Sequence, residues 1–173
     1  MFRLTLGIIG GGQLGSLLAD AAKKIGIKTV ILSDDINAPG KSFSNSFIYG
    51  SYDDKSVIDK FISSVDLVTY EFENIPFNVL KKIDEKKTVL PKPEVNNLIQ
   101  NRLTEKDFLN KINIQTTRYK QIHKIDELKE SKNLIPGLLK TTTLGYDGKG
   151  QYKINKFEDI NNNIDFNKKY ILE

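Results

Sequence analysis

The sequence predicts an α/β protein in which a largely parallel sheet at the N-terminal end is followed by a smaller α+β part. Three observations predict it. Short apolar, β-branched bursts alternate with stretches of helical periodicity from Leu4 to Leu90. A run of glycines joins the first burst to the first helix, and Pro91 and Pro93 interrupt the alternation before a strand-rich stretch with a glycine hairpin. With 173 residues, 39% of them hydrophobic, the chain is long enough for one medium domain or two small ones, which excludes disorder of the whole.

The elements follow in order. Leu4 to Ile9 reads as a strand, and Leu14, Leu17, Leu18, Ala21 and Ile25 recur at helical spacing until Gly26 ends the helix. Lys28 to Leu32 is a second strand, Asp34 to Ser46 with Pro39-Gly40 a loop, and Phe47 to Tyr49 a short third strand. Asp53 is expected to cap a helix with Val57, Ile58, Phe61 and Ile62 on one face, and Asp66 to Tyr70 returns as the fourth strand. A helix from Phe77 to Ile83 and the segment Thr88 to Leu90 precede the prolines, where a boundary divides residues 1–95 from 96–173. Beyond it come a helix over Arg102 to Ile112, a strand near Arg118 to Ile122, a short helix after Lys124 and a strand over Leu138 to Thr142. A glycine-rich tip, a strand over Tyr152 to Ile154, the polar stretch Asn155 to Asn167 and a last strand over Lys169 to Leu172 complete the pattern.

Composition narrows the chemistry. No Cys and one His exclude a disulfide scaffold, a thiol nucleophile and histidine-rich zinc sites, and a reducing cytoplasm fits best. The formal charge of +4 is carried by lysines scattered among acids, with three Arg, so a nucleic-acid partner is not expected. No apolar run reaches the roughly 18 to 20 residues of a membrane span, and the opening residues carry no basic leader, so neither a membrane nor export is expected. His123 reads as a solvent-facing loop residue, and Tyr70, Phe72 and Phe77 as packing residues.

Three constellations carry chemistry. Gly10-Gly11-Gly12-Gln13-Leu14-Gly15 matches G-x-G-x-x-G between a strand and a helix, where close backbone approach and free amides suit an anion. Alone it leaves open a nicotinamide cofactor with Asp34 or Asp35 on its ribose, another phosphate ligand, or packing without ligand. Glu71 and Glu73 follow the fourth strand at the edge where open sheets bind ligands, and they share a face if the chain stays extended; a solvated pair is the alternative. Lys140 on a strand, followed by the hairpin Leu144 to Gln151 with Lys149 in its tip, fits a lid that closes on a polyanion; an ordinary exposed hairpin is the alternative. No Walker loop occurs.

Taken in order, Gly10 to Gly15, Tyr52-Asp53-Asp54, Thr69 to Pro76, Gln100-Asn101-Arg102-Leu103, Glu105-Lys106, Lys140, Gly145 to Gln151 and Ile171-Leu172-Glu173 resemble the 5-(carboxyamino)imidazole ribonucleotide synthases of the ATP-grasp superfamily. The resemblance implies a Rossmann-like pre-ATP-grasp domain over 1–95 and, over 96–173, the first part of an ATP-grasp domain with its flap. It also implies carboxylation of aminoimidazole ribonucleotide, with ATP activating bicarbonate as carboxyphosphate.

By that resemblance Arg102 and Lys140 contact ATP phosphates, and Gly145, Tyr146, Asp147, Gly148, Lys149, Gly150 and Gln151 form the flap. Glu173 opens the adenine-holding hinge, and Lys149 meets an anionic oxygen as the catalytic candidate. Gly12, Gln13, Leu14 and Glu71, with Glu73 beside them, hold the ribonucleotide. Family members are longer, are homodimers, and place their Mg2+ ligands in a further C-terminal ATP-grasp domain. The 173-residue chain alone is therefore expected to be inactive and to expose apolar surface that favours association. A nicotinamide-dependent oxidoreductase and a noncatalytic ribonucleotide-binding module are the alternatives.

Overall fold

The structure, a computed structural model, describes residues 4–145, 150–160 and 164–173. The chain divides into two compact units, Met1–Asn97 and Leu98–Glu173.

In the first unit the apolar bursts become β1 (Thr5–Ile9), β2 (Lys28–Ser33), β3 (Ser46–Tyr49) and β4 (Leu67–Tyr70), paired in parallel in the order β3-β2-β1-β4. Parallel strands need crossovers: α1 (Gln13–Lys24) joins β1 to β2, a loop with a 3-10 turn over Pro39–Ser42 joins β2 to β3, and α2 (Lys55–Ser63) lies between β3 and β4. One face of the sheet buries Ile9, Val30, Leu32 and Ile48 against Ile58, Phe61 and Ile62 of α2 and against Val79, Leu80 and Ile83 of α3 (Phe77–Asp84). The other face buries Ile8 and Ile31 against Ala19 of α1. Because both faces are covered, the strands read as nearly continuous apolar runs.

Two local expectations are corrected. The stripe whose spacing predicts α1 faces outward: Leu14 is 61% exposed, Leu17 59% and Ile25 75%. The buried face is instead Gly15, Ser16, Ala19 and Ala22, small residues that let the helix lie close on the sheet. The cap of α2 is Asp54 and not Asp53; Asp54 Oδ1 accepts from the Ser56 amide at 2.8 Å and the Val57 amide at 3.4 Å. The proline stretch also contains a helix, α4 (Pro93–Ile99), which Pro93 opens because the first helical residue has no intrahelical use for its N–H.

The second unit begins with α5 (Arg102–Lys111), capped by the Asn101 side chain on the Leu103 amide at 2.9 Å. It continues through β5 (Lys120–Ile122), α6 (Ile125–Glu130), β6 (Gly137–Thr141), β7 (Gln151–Ile154) and β8 (Tyr170–Leu172). The four strands form an antiparallel sheet in the order β5-β8-β6-β7. Ile122, Leu128, Leu139, Ile154, Ile164, Tyr170 and Leu172 make its core on one face. Ile164 lies within the polar stretch, which also forms a short 3-10 turn over Phe157–Asp159. The hairpin β6–β7 is held at its mouth by the Thr141 amide on the Gly150 carbonyl at 2.9 Å. Gly150 has φ +67°, and a Cβ there would meet Thr141 Oγ1 at 2.7 Å.

Candidate functional site

In the first unit β2 and β3 lie to one side of β1 and β4 to the other, so the direction of sheet growth reverses between β1 and β4. Ligands of open sheets bind in the crevice at such a reversal, beyond the carboxyl ends of the strands. Both ends carry the predicted groups. Gly10 leaves β1 with φ +105°, a conformation a side chain rarely adopts, and a Cβ built there would lie 3.0 Å from Glu71 Oε2. Glu71 leaves β4 with its amide on the Ile9 carbonyl at 3.0 Å. Its carboxylate accepts from the Gly15 amide, an early donor of α1. Gly12, the N-cap of α1, contributes no side chain, so Glu71 caps the helix from a neighbouring strand. Burial raises the Glu71 carboxyl above its ordinary value, and the Gly15 amide opposes that shift.

Gly12, Gln13 and Leu14 are exposed around this turn. Glu73 is placed differently from Glu71. The chain turns at Glu73-Asn74 and does not stay extended, so Glu73 is exposed while its carbonyl accepts from Asn96 Nδ2 at 2.9 Å. Tyr52, buried next to this edge, belongs to the Tyr52-Asp53-Asp54 motif of the family resemblance but was given no role in the site by the sequence. Its hydroxyl donates to the Asp34 carboxylate and accepts from the Asp34 amide; burial and then the Asp34 charge raise it, with Glu71 adding to the effect. Asp34 is thus engaged by Tyr52, a use that the dinucleotide reading of its position does not include.

In the second unit, alternation along β6 sends Leu139 and Thr141 to one side and Lys140 to the other. Lys140 pairs in register with Gln151 on β7 and Ile171 on β8, and Glu173 follows two residues later on the same face. Lys140, Gln151 and Glu173 therefore share the face opposite the core, and the Lys140 ammonium donates to Glu173 Oε1. Glu173 Oε2 meets a second ammonium, that of Lys106 from α5, at 2.5 Å. Lys106 also donates to Thr117 Oγ1 at 2.8 Å and lies over the Tyr119 ring, 5.4 Å from its centroid. The side chains of Lys106, Lys140 and Glu173 are 15%, 19% and 13% exposed. Burial raises the Glu173 carboxyl, but the hydrogen bonds and charges of Lys106 and Lys140 together outweigh it and leave it below its ordinary value.

Lys106 and Thr117 were not among the predicted site residues. For Lys106 a signal existed, since it follows Arg102 by one helical turn and both project from one side of α5. Arg102 itself holds the mouth of the hairpin. Its amide reaches the Thr142 carbonyl at 2.9 Å, Nη1 the Thr141 carbonyl at 2.9 Å, and Nη2 the Gly145 carbonyl. Of the flap residues, Tyr146, Asp147, Gly148 and Lys149 lie outside the described residues. Among the described residues no cluster of three His, Cys, Asp or Glu side chains could hold a metal ion, so a Mg2+ ligand set is not found in them. His123 is exposed, its amide donating to Glu127 at 2.7 Å.

Residues 3–100 match the family model of the ribonucleotide synthetase preATP-grasp domain, and residues 107–173 match that of the ATP-grasp domain. The chain belongs to the ATP-grasp ribonucleotide synthetase family. Within it, the chain is 38% identical over 157 residues to the N5-carboxyaminoimidazole ribonucleotide synthase of Brucella melitensis, covering 90% of this chain and 43% of that protein. It is also 38% identical over 161 residues to the synthase of Staphylococcus epidermidis, with 92% and 43% covered. The fold agrees with the crystal structure of N5-carboxyaminoimidazole synthetase from Staphylococcus aureus complexed with ADP, at a TM-score of 0.91 and 33% identity, over 99% of this chain and 47% of that one. The chain thus spans less than half the length of these synthetase relatives. Among the described residues no helix is long and apolar enough to cross a membrane.

Proposed function

We propose that the chain carries the ribonucleotide side and the first part of the nucleotide side of an N5-carboxyaminoimidazole ribonucleotide synthase, a cytoplasmic, ATP-dependent ligase of purine biosynthesis that carboxylates aminoimidazole ribonucleotide with bicarbonate. The observation that carries this reading is the placement of Lys140, Gln151 and Glu173 on the face of the antiparallel sheet opposite its core, in a chain 33% identical to a synthetase solved with ADP. Lys140 and the flap amides then neutralise phosphate oxygens, and Glu173 begins the segment that meets the base. Lys149 reaches an anionic oxygen when the flap closes. Arg102, by holding the Thr141 and Gly145 carbonyls, ties the mouth of the hairpin to α5.

In the first unit the amides that open α1 receive the phosphate of the ribonucleotide, and Glu71 accepts from its sugar hydroxyls. An anion arriving there competes with Glu71 for the Gly15 amide. Water must be kept from a labile carboxylating intermediate, which demands a closing lid, and the glycine hairpin supplies one. Mg2+, held elsewhere in the full-length protein, offsets phosphate charge when bound. Homodimer formation belongs to that longer protein.

Calorimetric titration of the chain with ADP, aminoimidazole ribonucleotide and NAD tests the reading. Saturable binding of the first two is expected, with at least a tenfold loss for ADP in Lys140→Met and for the ribonucleotide in Glu71→Ala. Steady-state product formation by the 173-residue chain alone is expected to be negligible. Binding of NAD with neither of the others would overturn the assignment.

A further inference from the structure

The charge cluster of the second unit holds more positive charge than a salt bridge needs. Two ammonium groups meet one carboxylate, leaving a net charge of +1 among side chains that are less than one-fifth exposed. The two lysines are unequal. Lys106 is engaged on every side: Glu173 Oε2, Thr117 Oγ1 and the face of Tyr119, whose hydroxyl is itself fixed by Asp107 Oδ1 at 2.6 Å. Among the described residues the Lys140 ammonium meets only Glu173, although an ammonium carries three donors.

We propose that Lys106 is a positioning residue of the nucleotide site: it neutralises and orients Glu173 so that Lys140 keeps a positive charge and free N–H donors for a phosphate of a nucleoside di- or triphosphate. The proposal rests on the nucleotide reading of this sheet face. Without Lys106, Glu173 and Lys140 would form a closed pair with no net charge, and an incoming phosphate would have to compete with the carboxylate for Lys140. With it, one carboxylate oxygen is held by α5 and Thr117, and the other aims at Lys140 without cancelling it. A helix anchor alone would need Lys106 and Glu173, but would leave Lys140 indifferent to what Lys106 carries.

The test is ADP titration of the chain at several salt concentrations and from pH 4 to 8, with thermal unfolding as the control for folding. Lys106→Met is expected to bind ADP at least tenfold more weakly at pH 7, with a salt dependence shallower by about one charge. Its deficit relative to the parent shrinks as the pH falls through the Glu173 titration, because a protonated Glu173 releases Lys140; Lys106→Arg restores most of the affinity. Carboxyl NMR should show Glu173 titrating higher in Lys106→Met than in the parent. A stabilising anchor would move the unfolding temperature and not this pH recovery.

In the Glu173→Gln background the same change should have no further effect on ADP binding, because Lys106 acts through Glu173. That double variant buries no unpaired carboxylate and keeps the test decisive if Lys106→Met alone does not fold. Equal affinity and salt dependence in parent and Lys106→Met, or an undiminished loss in the Glu173→Gln background, would overturn the role of Lys106 alone. A parent chain that binds no ADP would overturn the nucleotide reading and this role together.

Discussion

Glu71 and Glu173 are both carboxylates largely withdrawn from solvent, yet their surroundings push them in opposite directions, and the chain's pH response follows from the difference. Glu71 is raised by burial with one backbone amide against it. Its contribution to stability is fully present below its ordinary pKa of 4.5 and is lost as the pH rises through its own, higher value. Glu173 is lowered by two ammonium groups in spite of burial, so its contribution is present above 4.5 and is lost as the pH falls through its own, lower value. Chemical denaturation at a series of pH values should therefore show Glu71→Gln more stable than the parent at pH 7, since the amide oxygen still accepts from Gly15 without a charge to desolvate. Glu173→Gln should be less stable at pH 7 and lose the acid-side dependence. A parent whose stability is flat from pH 3 to 7 would contradict both.

Elements were legible where a short segment decides its own geometry. The β-branched runs, the glycines after β1 and the strands that flank the glycine hairpin each carry their conformation locally, and each stands where it was expected. The cap of α2 shows where local reading stops. Asp53 and Asp54 are equivalent as sequence signals, and only the path of the chain from Ser51 decides that Asp54 faces the open amides. Asp54→Ala should cost about 1 kcal/mol in denaturant unfolding. Asp53→Ala should stay within about 0.5 kcal/mol, as exposed changes away from a cap do.

For the molecule as a whole, each unit has a core of its own: Phe61, Leu80 and Ile83 belong to the first, and Leu139, Tyr170 and Leu172 to the second. Phe61→Ala should destabilise the first unit by about 3 to 5 kcal/mol. In native-state hydrogen exchange it should lower the protection of Val30 and Val68 amides far more than that of Leu139 and Ile171. Leu17→Lys, on the outward stripe of α1, should change stability by no more than about 0.5 kcal/mol. A large loss there would mean that the apolar stripe is buried after all.

The order of the strands, the anion-suited turn and the candidacy of Lys140 and Glu71 were legible in the sequence itself, because spacing, glycine content and charge act over a few neighbouring residues, whereas Glu173 was a candidate through the family resemblance alone. Only the tertiary structure decided which face of α1 is buried, that Glu71 caps that helix while Glu73 turns away, and that Lys106 shares Glu173 with Lys140. Those depend on distances between residues tens of positions apart, and no local pattern encodes how closely a helix lies on a sheet or which ammonium reaches a given carboxylate.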